Sequence, residues 1–270
     1  MTGSFRDAEL EGWSTRSDTY DQYLAPITNQ VVGPMIGALD TVAGKLVLDV
    51  CCGPGHLAGS LAHSGANVVG LDFAMPMVVK ARENYPSLDF HQGDAEALPF
   101  DAQTFDHVVC AFGVMHLSNA DAAIGEAFRV LRPTGRYIFT QWAQDDELLG
   151  IVLSAIAKHG EPVASLPAAP LPMRFSDPLE CRRALEAVGF TEIQVERVET
   201  AWTARQPAEL LDLVYGGAVR AAMVLEAQPP ARRDLIHGAI LRAADARTSD
   251  GVVMIRRPVV MASGVKPPRS

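Results

Sequence analysis

Between residues 45 and 142 the chain alternates short β-rich runs with helical ones, and this alternation restricts the fold more than any other feature. KLVLDV (45–50) is a continuous apolar run, the pattern of a strand covered on both faces. HLAGSLAHSG (56–65) has helical spacing and stops at Gly65. NVVGLD (67–72) is the next strand and MPMVVKARENY (75–85) the next helix, with Pro76 tolerated in its first turn. LDFHQGD (88–94) is a weaker strand and FDHVVCAFGV (105–114) a strong one. ADAAIGEAFRVL (120–131) is a helix closed by Arg132 and Pro133, and GRYIFTQW (135–142) is a fifth strand. This spacing predicts an α/β, doubly wound and mostly parallel sheet with helices on both faces.

After Trp142 the pattern changes. Residues 143–176 hold a helical piece, LLGIVLSAIAKHG, and a Pro-rich run, PVASLPAAPLP, expected as an ordered excursion. SDPLECRRALEAVGF offers Ser176 as N-cap and Gly189 as the stop of another helix. TEIQVERVETAW (191–202) alternates like a half-exposed antiparallel strand, residues 207–247 read as helices, and GVVMIRRPVVMASG (251–264) reads as a last strand. The final KPPRS is expected to fray.

Composition removes several function classes. A net charge of −9, with 23 scattered Lys and Arg, argues against a nucleic-acid surface. Apolar runs fall short of the ~18–20 residues of a membrane span, and the N-terminal MTGSFRDAELEGWSTRSD lacks a signal peptide's apolar core. Cysteines at 51, 52, 110 and 181 show no C-x-x-C spacing. The expectation is a cytoplasmic monomer or homodimer with reduced thiols, no metal, and neither nucleic-acid nor membrane partners.

The loop Gly53-Pro54-Gly55-His56-Leu57-Ala58 follows the first strand. Glycines allow a ligand close to the backbone, and the helix after them offers unpaired N–H groups. Asp49 lies just ahead of this loop, Asp72 ends the second strand, and Asp94 follows the third. All three fall on the carboxyl edge, where open α/β sheets bind ligands. A carboxylate after the second strand can hold ribose hydroxyls, and one after the third can take an adenine amine. Asp49 would face a pyrophosphate in NAD, whereas it suits an ammonium group. Ribose, adenine and ammonium together describe S-adenosylmethionine.

VLDVCCGPG, GLDFAMPMV, QGDAEALPF, FDHVVCAFGVMHL and RVLRPTGRYIFTQW together resemble the class I S-adenosylmethionine-dependent methyltransferases, in the branch that modifies quinones and natural products. The resemblance implies a seven-stranded Rossmann-like sheet whose last strands are antiparallel, carrying helical lid segments. It implies one domain over 1–270: a helical cap (1–44), a cofactor-binding core (45–142), a lid or substrate insertion (143–176), and a C-terminal half (177–264) with inserted helices (207–247). By position it assigns Asp49, Gly53 and Gly55 to the methionine tail and Asp72 to the ribose. Phe73 and Met77 would pack beside the nucleoside, Asp94 and the Ala95 backbone would read the adenine, and Ala111 would touch the tail. Tyr20, on a helix that closes over the cofactor in relatives, would contact the tail or simply pack. The chain departs from the family at Cys51, usually Gly, at Pro54, commonly Thr, and at Thr134, often Gly.

Cys51 and Cys52 are read as small apolar fillers, because a vicinal disulfide is strained. The resemblance implies that His116, after the fourth strand, lies between sulfonium and substrate, as a base that removes the acceptor's proton or as a wall of the pocket. Trp142, Met173, Phe175 and Tyr215 are candidates for an apolar acceptor pocket, with core packing as their plain alternative, as for Trp202. The expected activity is methyl transfer to a small apolar or aromatic metabolite at an unassigned O, N or C atom. Cyclisation or rearrangement on the same scaffold, a non-catalytic cofactor-binding regulator, and more distantly a nicotinamide oxidoreductase are the alternatives.

Overall fold

The computed structural model describes residues 4–163, 166–168 and 170–268. Residues 164, 165 and 169 of the Pro-rich run, and 269–270 of the expected frayed end, lie outside the described residues. The strands are β1 (Leu46–Val50), β2 (Asn67–Asp72), β3 (Asp89–Gln92), β4 (Phe105–Cys110), β5 (Leu131–Trp142), β6 (Thr191–Val198), β7 (Ala201–Ala204), β8 (Thr248–Ser249), β9 (Val252–Arg256) and β10 (Val259–Val265). The helices are α1 (Phe5–Arg16), α2 (Tyr20–Tyr23), α3 (Ala25–Thr28), α4 (Val32–Gly37), α5 (His56–His63), α6 (Met75–Asn84), α7 (Ala120–Val130), α8 (Glu147–His159), α9 (Pro178–Val188), α10 (Glu209–Gly217), α11 (Val219–Glu226) and α12 (Pro230–Asp245). The chain divides into two compact units.

The larger unit comprises Thr28–Gln144, Ala169–Val198 and Val259–Ser270. Its seven-stranded sheet has the order β3-β2-β1-β4-β5-β10-β6, with β10 antiparallel to both neighbours and the others parallel. This is the predicted fold class. Val47, Leu48, Val108 and Val109 are fully buried, as a sheet covered on both faces requires. Helix α7 buries Ala123, Ile124, Ala127 and Val130, one stripe at helical spacing, against a core that includes Leu48, Phe139 and Leu185. Asp106 ties the sheet's amino edge, accepting from the Leu46 N–H at 2.8 Å and from Arg132 at 3.0 Å.

Three local expectations need correction. Helix α7 ends at Val130, before the expected Arg132-Pro133 stop, and Leu131 already belongs to β5. The N-cap of α9 is Asp177, whose carboxylate accepts from the Leu179 N–H at 2.9 Å, while the Ser176 hydroxyl donates instead to the Met173 carbonyl. The runs 191–202 and 251–264 are each two strands: β6 and β10 join the large sheet, β7 and β9 a separate one. Pro258 has no N–H to continue a ladder, and next to it the Arg257 N–H donates to the Thr200 carbonyl.

The smaller unit comprises Met1–Ile27, Asp145–Ala168 and Glu199–Pro258. It holds α1, α8, α10, α11 and α12 and a three-stranded antiparallel sheet of order β7-β9-β8. Ser4 and Asp7 form a capping box on α1. Gly12 lets α1 approach α11, where a Cβ would lie 2.2 Å from Val219 Cγ1. Arg257 and Asp146 form a buried ion pair at 2.8 Å, and Asp146 also caps α8 through the Leu148 and Leu149 N–H groups. Among the described residues no helix is long and apolar enough to cross a membrane.

Candidate cofactor site at the carboxyl edge

The loop between β1 and α5 is built from left-handed residues, Cys51 at φ 58°, Gly53 at 51° and Gly55 at 85°. At Gly55 glycine is obligatory, because a Cβ would lie 2.9 Å from the Phe90 ring and 3.2 Å from Ala81. At Gly53 the same direction is open, with nothing within 4 Å. Cys51 adopts its conformation despite carrying a side chain, which is uncommon outside functional turns.

Asp72 organises this loop. One of its oxygens accepts from the Gly53 N–H at 2.9 Å and the other from the Ala74 N–H at 2.9 Å. Burial pushes its carboxyl up to about 6, against the Ala74 and Gly53 N–H groups and the nearby His116 imidazole, which favour the charge. Asp49 is 1% exposed, and its Oδ2 has no hydrogen-bond partner. Burial pushes Asp49 up to about 8; the Ala58 N–H opposes the shift and the Asp72 charge adds to it. The edge thus holds two buried carboxyls within electrostatic reach of each other, one of them with an idle acceptor.

Asp94 Oδ1 accepts from the Glu96 N–H at 2.9 Å, and Ala95 beside it is buried. Phe73 is half-buried with its carbonyl held by the Gln92 amide at 3.0 Å, and Met77 is buried on α6. Ala111 and His116 are half-buried; His116 closes a short 3-10 turn, Val114–His116, that follows β4. Trp142 stacks on Phe112, ring centroids 4.2 Å apart at 28°. Met173 meets the Gln141 amide through its sulfur at 3.8 Å. Phe175 is buried against Phe139, in the core.

Three of the aromatic candidates belong to the smaller unit. Tyr20 packs on Trp13, with centroids 6.2 Å apart. Tyr215 pairs its hydroxyl with His237 Nε2 at 2.7 Å, and its carbonyl accepts from Arg16. Trp202 is buried on β7.

Sequence reasoning passed over Phe112. It sits at φ 56°, its N–H donates to Thr140 Oγ1 at 3.0 Å, and it leads into the turn bearing His116. A phenylalanine before Gly113 carries no local signal for a left-handed backbone.

The family described as "Methyltransferase domain" matches residues 47–135. A demethylmenaquinone methyltransferase of Beutenbergia cavernae is 37% identical over 123 residues, 44% of this chain and 51% of that protein. The chain spans about half the length of the curated relatives it matches. Among solved structures, the YcgJ protein of Bacillus subtilis superposes with a TM-score of 0.60 at 20% identity, covering 89% of this chain and 100% of that one. Phosphoethanolamine N-methyltransferase 2 of Haemonchus contortus, solved with S-adenosyl-L-methionine, gives a TM-score of 0.54 at 18% identity, covering 88% and 52%. These structural likenesses concern the fold. The sheet order and the Gly53–Gly55 loop agree with the matched segment, and residues 47–135 are similar to a methyltransferase domain.

Proposed function

We propose that the protein transfers a methyl group from S-adenosylmethionine to a quinone-type aromatic small molecule. The observation that carries this reading is the idle, buried oxygen of Asp49 beside a loop whose glycine backbone is open. A buried acceptor without a partner is costly, and an ammonium group is the partner that relieves both its burial and its charge. The cofactor's remaining polar parts match the other acids. Each Asp72 oxygen accepts one N–H and keeps a lone pair for a ribose hydroxyl. Asp94 and Ala95 take the adenine, with Phe73 and Met77 beside the nucleoside. Ala111 completes the tail contacts.

When bound, the cofactor supplies an electrophilic methyl group on a sulfonium. The chain's own task is to orient the acceptor in line with it and to exclude water. His116 accepts the acceptor's proton, or walls the pocket if the acceptor arrives ionised. Trp142, stacked on Phe112, and Met173, beside Gln141, are the apolar side chains assigned to a planar ring. A quinone-type acceptor is supported by the demethylmenaquinone methyltransferase match.

The test is incubation with isotopically methyl-labelled cofactor and a reduced naphthoquinone, read by mass spectrometry. The expected product carries one labelled methyl group, and His116→Ala lowers its rate and removes one limb of the pH profile. Folded protein that gives no calorimetric heat with either the cofactor or its demethylated product overturns the proposal.

A further inference from the structure

Neighbouring Cys51 and Cys52 point to opposite sides of the loop. Cys52 packs toward β2, with its sulfur 3.1 Å from where a Gly70 Cβ would stand, and its thiol faces the Gly53 carbonyl at 3.7 Å. Cys51 turns toward the end of β4, where its sulfur and that of Cys110 converge on Gly113. Gly113 makes the contact possible. A Cβ there would lie 2.6 Å from the Cys110 sulfur and 2.7 Å from the Cys51 sulfur, so both thiols occupy the space that glycine leaves. The strands bring the pair together: β1 and β4 are parallel neighbours, and one step beyond the Asp49–Val109 register lies Cys110. Cys51 is half-buried and Cys110 buried, so an oxidant meets Cys51 first.

We infer that Cys51 and Cys110 form a dithiol modification site in the cofactor loop, closing to a disulfide with a small-molecule disulfide as oxidant. Cys51 loses its proton and its sulfur attacks one sulfur of glutathione disulfide, releasing one glutathione. Cys110 then displaces the second glutathione and the Cys51–Cys110 bond forms. Two protein thiols are oxidised and one glutathione disulfide is reduced to two glutathiones. The neighbouring Cys110 thiol, and then burial, push the Cys51 thiol up, so the first step is slow at neutral pH and faster above it. Cys52 and Cys181 lie outside the reaction; Cys181 is buried on α9 and donates to the Phe175 carbonyl at 3.1 Å. Bond formation draws the two sulfurs together and drags Cys51, which already has a left-handed backbone, toward β4. That moves the loop whose Gly53 N–H is anchored on Asp72.

The experiment incubates the full chain with millimolar glutathione disulfide at pH 8 and maps peptides by mass spectrometry. The expected result is one internal disulfide joining Cys51 to Cys110, reversed by dithiothreitol, present in Cys52→Ala and absent in Cys110→Ala. Four free thiols after prolonged incubation, a Cys51–Cys52 link, or a stable glutathione adduct at Cys51 overturns the inference. A second readout rests on the proposed function: the oxidised chain binds S-adenosylhomocysteine at least threefold more weakly, and binding by Cys51→Ala does not change with the oxidant. The peptide map stands without any cofactor binding, so a reduced chain that binds no S-adenosylhomocysteine counts against the proposed function alone, whereas equal binding by the reduced and oxidised chains overturns the displacement of the loop.

Discussion

Asp49 and Asp146 are equally buried aspartates, 1% and 3% exposed, in the larger and the smaller unit, and the protein treats them in opposite ways. Asp146 is saturated: Arg257 reaches both its oxygens, at 2.8 and 3.2 Å, and two N–H groups of α8 add to them. Asp49 has an oxygen with no partner and a carboxyl pushed up to about 8 by burial. A buried charge with every lone pair engaged holds structure in place. A buried acid left with an idle oxygen carries a cost that a ligand can remove, which is why the second marks a site and the first does not.

The sharpest way to break this contrast is to delete each carboxylate. Asp146→Ala leaves Arg257 buried without its partner and strips α8 of its cap. We expect a loss of ~3–5 kcal/mol in urea unfolding, much of a typical domain's stability. Asp146→Leu with Arg257→Met should recover most of it, since neither charge then remains. A single variant as stable as the parent would mean that the pair does not organise this unit.

Asp49→Asn should move stability the other way. The folded carboxyl titrates at about 8, the unfolded one near ~3.9, so ionisation is easier in the unfolded chain. Its contribution to stability is fully present below pH ~4 and is lost as pH rises through 8. The ligand-free Asn variant therefore melts higher than the parent at pH 8, by about 3 °C or more, and indistinguishably at pH 4. The same variant binds S-adenosylhomocysteine at least about tenfold more weakly, the scale of a lost charge-assisted hydrogen bond. Equal melting points at pH 8 would remove the idle acceptor from the account of the site.

Much of the larger unit was legible because its strands are buried on both faces, which writes KLVLDV and FDHVVC as unbroken apolar runs. Position alone put Asp49, Asp72 and the glycines of the loop on one edge. What was not legible depends on contacts distant in sequence. VVMIRRPVV reads as one strand, and only the pairing of Arg257 with Asp146 and Thr200 shows where it breaks. Cys51 and Cys52 look like a pair in the sequence, yet the thiol that Cys51 meets is Cys110, delivered by the neighbouring strand. The left-handed Phe112 leaves no mark in composition or spacing, because its anchor is a hydroxyl on β5. Nor could the sequence reveal that Asp49 lacks a partner, since that is a property of the packing around it.

The smallest effect, and the most direct separation of the two aspartates, is a proton. Near pH 7 Asp49, titrating at about 8, holds its proton in the ligand-free protein, whereas Asp72, at about 6, is mostly ionised. An ammonium placed against Asp49 favours the carboxylate, so binding at this pH expels a large fraction of one proton, with a minor share from Asp72. Buffers differ in the heat they take up with that proton. Titration calorimetry of S-adenosylhomocysteine in phosphate and in Tris at pH 7 should therefore give different enthalpies with the same affinity. Asp49→Asn, measured at concentrations that offset its weaker binding, should show most of that difference gone. Equal heats in both buffers for the parent chain would place the ammonium away from Asp49, and the idle oxygen would then need another partner.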